Sequence, residues 1–159
     1  MSTTNNNPQI LGDVIIMRGL PGIGKTSLAH KLLANLDVGH KGIILAADDF
    51  FTKGSVDKKV YDFDKEKLEE AYKWNFGRFK EAIKAKRPLI IIDNSNIKLF
   101  HFWQYIDYGQ RNNYRVSILT IPHNDVSDRE LEQRTPHGIN RGTIYKMRKE
   151  FEWELIRKS

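Results

Sequence analysis

Apolar residues are spaced along this chain in two alternating rhythms. Short unbroken runs, Val14 to Met17, Ile43 to Ala47 and Leu89 to Ile92, have the length and content of buried parallel strands, and the β-branched-rich stretch Tyr114 to Ile121 reads as a fourth. Between them lie segments with apolar residues three and four apart. Lys25 onward through Ser27-Leu-Ala-His-Lys-Leu-Leu reads as a first helix, and about Asp64 to Lys86 as a second. In that second helix Leu68, Ala71, Tyr72, Phe76, Phe79 and Ile83 form a stripe suited to the core rather than to a ligand. Leu99 to Arg111 reads as a third helix, Asp125 to Arg134 as a short fourth and Gly142 to Arg157 as a closing one, with a turn at Thr135 to Asn140. Phe50 to Asp62 is mixed, contains Gly54 and predicts a surface loop.

Strands alternating with helices call for right-handed crossovers and a parallel sheet covered on both faces. The fold class expected is α/β, three-layered, with a parallel sheet of four or five strands and helices on both faces. Residues 1–12 are expected to be a disordered lead-in, and 13–159 one domain with a lid around 130–145. Neither an internal repeat nor a second domain is expected.

The first strand runs into Gly19-Leu20-Pro21-Gly22-Ile23-Gly24-Lys25-Thr26, which matches G-x-x-x-x-G-K-[ST] in the strand–loop–helix context the pattern requires. Its glycines let successive N–H groups turn toward phosphate oxygens, and the following helix, with Ser27 in its first turn, adds the positive end of its dipole. Lys25 would neutralise the outer phosphates and Thr26 would offer its hydroxyl to Mg²⁺. The motif predicts a nucleoside triphosphate as ligand, without establishing turnover.

The other strands also end in polar residues: Asp48-Asp49 after the second, and Asp93-Asn94-Ser95-Asn96 after the third. Such ends gather on one edge of a parallel sheet, where ligands bind. Asp93 suits the second acidic position of a P-loop site, holding Mg²⁺ directly or through water. Asp48 and Asp49 suit either metal binding or acceptance of a proton from an attacking hydroxyl; a carboxylate is a weak base, yet adequate for a loose phosphoryl-transfer transition state. Arg134 and Arg141 flank the turn at His137-Gly138, and Lys146, Arg148 and Lys149 continue the positive charge. They read either as a closing lid over the triphosphate or as a solvated face balanced by Glu130, Glu132, Glu150, Glu152 and Glu154.

Net charge of +6 gives mild support to a polyanionic partner. The absence of cysteine rules out disulfides and thiolate zinc sites and suits an intracellular location, cytoplasmic or nuclear. Met1 to Pro8 lacks the basic start and apolar core of a secretory signal, and no apolar run approaches the ~20 residues that span a bilayer, so no membrane role is expected.

Five ordered stretches then carry a family likeness. Arg18 to Thr26, Ala47-Asp-Asp-Phe-Phe51, Trp74-Asn75 with Arg78, Ile91-Ile-Asp-Asn-Ser-Asn-Ile97 and Leu131-Glu-Gln-Arg-Thr-Pro-His-Gly138 resemble the P-loop polynucleotide kinase family. The likeness is to the small kinase-like domain of animal proteins that bind a HECT-type ubiquitin ligase, and more distantly to the bacteriophage 5′-hydroxyl kinase. It spans residues 13 to 150 and implies a three-layer P-loop NTPase fold of kinase type, with ATP and Mg²⁺, and transfer of the γ-phosphate of ATP to a 5′-hydroxyl of DNA or RNA. It further implies Asp48 as general base, Lys25 and Thr26 on phosphate and Mg²⁺, and Arg134, with Arg141, in the lid. One departure touches the acceptor: Phe51 stands where the phage-type enzyme has an arginine. A small-molecule or nucleoside kinase, an ATP-binding interaction module without turnover, and a nucleic-acid-binding protein are the competing readings; a protein partner is not readable.

Overall fold

In the computed structural model, residues 7–37, 39–55 and 58–156 are described. The main sheet is built from β1 (Gly12–Arg18), β2 (Ile43–Leu45), β5 (Leu89–Asp93) and β6 (Tyr114–Thr120), while β3 (Thr52–Ser55) and β4 (Lys58–Tyr61) pair apart from it as an antiparallel hairpin. The sheet is four-stranded and parallel, in the order β2-β5-β1-β6. The helices are α1 (Lys25–Leu36), α2 (Leu68–Lys84), α3 (Leu99–Arg111), α4 (Asp128–Arg134) and α5 (Arg141–Glu150).

Strand periodicity of two sorts side chains between the layers. Val14 and Ile16 of β1 and Ile90 and Ile92 of β5 pack with Phe79 of α2 and with Phe102, Tyr105 and Ile106 of α3. Met17, Leu89 and Ile91 point the other way, against Ala29, Leu28, Leu32 and Leu33 of α1. Because both faces are covered, β5 is buried at all five positions, which is why it is a continuous apolar run. A third cluster, Leu20, Ile97, Leu131, Ile144 and Phe151, docks α4 and α5 onto the end of the sheet. The three-layer α/β expectation holds, with four strands.

Several boundaries differ from expectation. The first strand opens at Gly12 rather than Val14, and the Leu11 N–H donates to the Asn113 carbonyl at 2.9 Å; residues 1–6 of the expected lead-in lie outside the described residues. The second strand ends at Leu45, so Asp48 and Asp49 stand on a one-turn 3₁₀ segment, Ala47–Phe51. The loop expected over 50–62 contains the β3–β4 hairpin instead. The second helix begins at Leu68, after a 3₁₀ turn capped by the Asp64 carboxylate, which accepts the Glu66 N–H at 3.0 Å. Ser127 and Glu130 close a capping box that sets the start of α4 at Asp128 rather than Asp125. The closing helix stops at Glu150, well short of Arg157, because Phe151 turns inward and the Glu152 N–H bonds the Ile97 carbonyl at 2.8 Å.

Candidate functional site

The register of the sheet brings the chemistry together. Met17 lies opposite Asp93, so the carboxylate at the end of β5 stands beside the point where β1 enters the phosphate loop. The Gly19 N–H donates to the Ser95 carbonyl at 3.1 Å, and Asn96, itself at φ 48°, donates from its amide to the Met17 carbonyl at 2.9 Å. The Asn94 side-chain oxygen accepts the Ala47 N–H at 2.9 Å and so fixes the turn that carries Asp48. Three consecutive residues after β5, Asn94 to Asn96, thus position the loop and the Asp48 turn beside the Asp93 carboxylate.

Within the loop Gly22 and Gly24 have φ of 80° and 103°, a region that strains any residue with a Cβ. Gly22 has a second constraint, since a Cβ there would lie 2.4 Å from the Leu131 carbonyl oxygen of α4. Gly22→Ala should therefore both strain the loop and push α4 away, at a cost of about 1–3 kcal/mol. Thermal unfolding should fall by roughly 2–4 °C per kcal/mol; an unchanged midpoint would show that α4 does not rest on the loop. Gly24 precedes α1 with no side-chain cap, leaving the first-turn N–H groups of Lys25, Thr26 and Ser27 directed into the loop.

Lys25 is only 9% exposed, and its ammonium donates to the Leu20 carbonyl at 3.1 Å. Burial pulls its pKa down to about 8, against the opposing pull of the Asp93 and then the Asp48 carboxylates. A triphosphate brought to Lys25 adds negative charge and drives the pKa back up, so above about pH 8 binding must take up a proton. Nucleotide affinity should be flat below that pH and fall by up to about tenfold per unit above it. Calorimetric titration in buffers of different ionisation heat checks this, with uptake approaching about one proton per nucleotide near pH 9; a flat affinity and no uptake would contradict it.

The Thr26 hydroxyl donates to Asp93 Oδ2 at 2.8 Å, joining α1 to the end of β5. Hydroxyl and carboxylate are hard oxygen donors, and Mg²⁺ takes one or two carboxylates completed by phosphate and water, so the pair suits it. Asp48 is exposed and its Oδ1 accepts a hydrogen bond from the Tyr61 hydroxyl at 3.3 Å. Asp49 is engaged differently: its Oδ2 pairs with Arg78 at 3.1 Å, and that guanidinium lies 4.4 Å from the Trp74 ring.

Two adjoining cavities meet at Asp48. One, of about 400 Å³, is lined by Gly22, Lys25, Thr26, Asp93 and Asp49; the other, of about 350 Å³, by Tyr61, Phe63, Leu68, Tyr72, His137 and Met147. Leu68 and Tyr72, expected as core, thus face this second cavity. Phe51 is buried at 2% exposure, edge-on to Phe50 and Phe63 at 5.3 and 5.0 Å, and supports the wall from behind.

The basic residues divide. Arg134 ends α4, exposed; Arg141 opens α5 and pairs with Glu132 at 3.4 Å, and neither lines the two cavities. Arg148 is not part of a solvated face: it clasps Asp128 at 2.8 Å and the His123 carbonyl at 2.9 Å, tying α5 to the start of α4. Sequence reasoning missed Tyr61, whose partners Asp48 and His137 are far from it along the chain.

The AAA_33 family, described as an AAA domain, matches residues 14–153, a span that includes the phosphate loop, Asp48, Asp93 and the turn between α4 and α5. This chain belongs to that family. NEDD4-binding protein 2 of Homo sapiens is 35% identical over 136 residues, covering 84% of this chain and 7% of that protein. YLP motif-containing protein 1 of Homo sapiens is 30% identical over 152 residues, again 84% and 7%. The chain therefore spans 7% of the length of each of these two curated relatives. Among solved structures, the Pnkp1/Rnl/Hen1 RNA repair complex superposes with a TM-score of 0.63 at 18% identity, over 93% of this chain and 46% of that one. Chaetomium thermophilum Kti12 in complex with ADP-AlF3 gives 0.59 at 16%, over 87% and 80%. These likenesses establish a P-loop kinase-like fold, which implies nucleotide binding. Among the described residues no helix is long and apolar enough to cross a membrane.

Proposed function

We propose that this domain moves the γ-phosphate of ATP to the 5′-hydroxyl of a polynucleotide, DNA or RNA. The observation that carries the reading is the pair of adjoining cavities with Asp48 common to both: a phosphate end with Lys25, Thr26 and Asp93 on one side, and room for a second substrate on the other. A hydrolytic switch or motor needs no second cavity of this kind. The similarity to a component of an RNA repair complex gives further support.

In this reading the backbone from Gly19 to Gly24 surrounds the phosphates, with Leu20, Pro21 and Ile23 between the glycines, and the Ser27 N–H extends the cradle along α1. Mg²⁺ held through Thr26 and Asp93 would neutralise charge on the β- and γ-phosphates. Asp48 takes the proton of the 5′-hydroxyl as its oxygen bonds to the γ-phosphorus and the bond to the bridging oxygen breaks, releasing ADP. Lys25 draws off charge at the γ-phosphate. Arg134 and Arg141, at the two ends of the turn between α4 and α5, add charge once that turn moves toward the phosphates.

The second cavity also weighs against an anionic small-molecule acceptor. Its described lining holds no lysine or arginine, and the Asp48 carboxylate repels anions. The Tyr61 hydroxyl resting on Asp48 favours one alternative, a nucleotide-binding module without turnover. Labelled ATP offered with 5′-hydroxyl DNA and RNA oligonucleotides, free nucleosides and small polyols separates these. End-labelled oligonucleotide is the expected product, lost in Lys25→Ala; ATP binding with no transfer to any acceptor would leave the module.

A further inference from the structure

The second cavity contains a ring stack of unusual closeness. The His137 imidazole lies on the Tyr61 phenol with centroids 3.7 Å apart and planes 20° from parallel. The two residues come from opposite sides of the cleft: Tyr61 ends the β3–β4 hairpin, and His137 sits on the turn between α4 and α5, followed by Gly138 at φ 66°. The other end of the phenol is anchored, since its hydroxyl donates to Asp48 at 3.3 Å. Burial, reinforced by the Asp48 charge, holds that phenol above its usual pKa, so it remains a donor.

We propose that the Tyr61 ring is the platform on which the terminal base of the acceptor stacks, and that His137 covers this platform until the base displaces it. This rests on the kinase reading above and specifies how the acceptor is held. A nucleobase is, like imidazole, a flat heteroaromatic ring, and every base has a face suited to a phenol, so the contact is tolerant of sequence. The cavity, at about 350 Å³, is near the lower end of ligand pockets and suits one nucleoside rather than a duplex end. A base on Tyr61 also brings its sugar to the carboxylate that Tyr61 already touches, and the 5′-hydroxyl then replaces the phenol as donor to Asp48. Displacing His137 frees the turn that carries Arg134 and Arg141 at its ends, so acceptor binding and lid movement become one event.

The test uses single-stranded 5′-hydroxyl oligonucleotides with a normal, a 2-aminopurine or an abasic terminal nucleotide, with the kinase assay run beside a binding titration. With the native protein, 2-aminopurine fluorescence should be quenched on binding, and loss of the terminal base should raise KM about tenfold. Tyr61→Phe keeps the ring and should keep both effects; Tyr61→Ala should lose both. His137→Ala removes the competitor, so KM for base-bearing acceptors should fall several-fold, and by clearly more than KM for the abasic acceptor. Indifference of the native protein to the terminal base, or a rise in KM with His137→Ala, overturns the proposal and leaves the kinase reading standing. If no acceptor is phosphorylated the kinase reading fails, and the titration alone decides the platform: quenching that depends on Tyr61 and tightens with His137→Ala supports it, and its absence overturns it.

Discussion

Replacing Asp48 with asparagine should reduce phosphate transfer by about 10²–10⁴-fold, the range expected when a positioned base is removed. Asparagine keeps the shape and can still accept the Tyr61 hydroxyl, so the turn at Ala47–Phe51 should survive. Nucleotide binding at neutral pH should change little, since Lys25, Thr26 and the loop backbone that line the phosphate cavity are untouched. It should nevertheless carry a signature: Asp48 is one of two carboxylates that raise the Lys25 pKa, so without it that pKa falls below its value of about 8. The pH above which nucleotide affinity declines should shift downward with it. Asp49→Asn is the informative contrast, because the Asp49 carboxylate is engaged by Arg78 at 3.1 Å and lacks the contact with Tyr61. Initial rates with saturating acceptor, measured for both variants, decide the matter. Equal losses at the two positions would remove the case for Asp48 as the base.

The phosphate loop and Asp93 were legible in the sequence because their demands are local. Glycines at 22 and 24 answer to a backbone that only glycine takes without strain, and Asp93 ends a fully buried strand whose apolar run is unmistakable. The α3 boundaries at Leu99 and Arg111 were also legible, since the apolar stripe begins and ends there. The β3–β4 hairpin was not, because Lys53, Ser55, Lys58 and Lys59 show no apolar alternation to mark strands. The end of α5 was hidden for the opposite reason: apolar residues continue through Trp153 and Ile156 at spacings a helix would also give. Tertiary contact, not local preference, stops that helix at Phe151. The resemblance alone singles out Asp48; the different partners of the two carboxylates, Tyr61 on Asp48 and Arg78 on Asp49, are brought to them only by folding.

Replacing Arg18 with methionine should destabilise the domain by about 3–5 kcal/mol, the range seen when one member of a buried charged network is deleted. Arg18 is 1% exposed, and its guanidinium donates to three backbone carbonyls: Asn96 at 2.7 Å, Ile97 at 2.9 Å and Glu152 at 2.8 Å. It also lies 4.5 Å from the Phe151 ring and 5.1 Å from Phe102. Burial lowers its pKa, with the Glu152 charge opposing, so the cation is held by dipoles and rings. An apolar replacement can be harmless where every polar partner is replaced too, but these partners are main-chain oxygens that no substitution removes. Lysine keeps the charge but lacks the planar fork that reaches several acceptors, so Arg18→Lys should lie between native and methionine. The midpoint of thermal unfolding should drop by on the order of 10 °C for methionine. The loss should reach the site as well, because the residues released at 96 and 97 follow directly on Asp93, Asn94 and Ser95. Nucleotide affinity measured well below the new midpoint should therefore weaken in parallel. A methionine variant that melts within about 2 °C of the native protein would mean the staple contributes less than about 1 kcal/mol, and that the loop after β5 is held by Asn96 and the sheet alone.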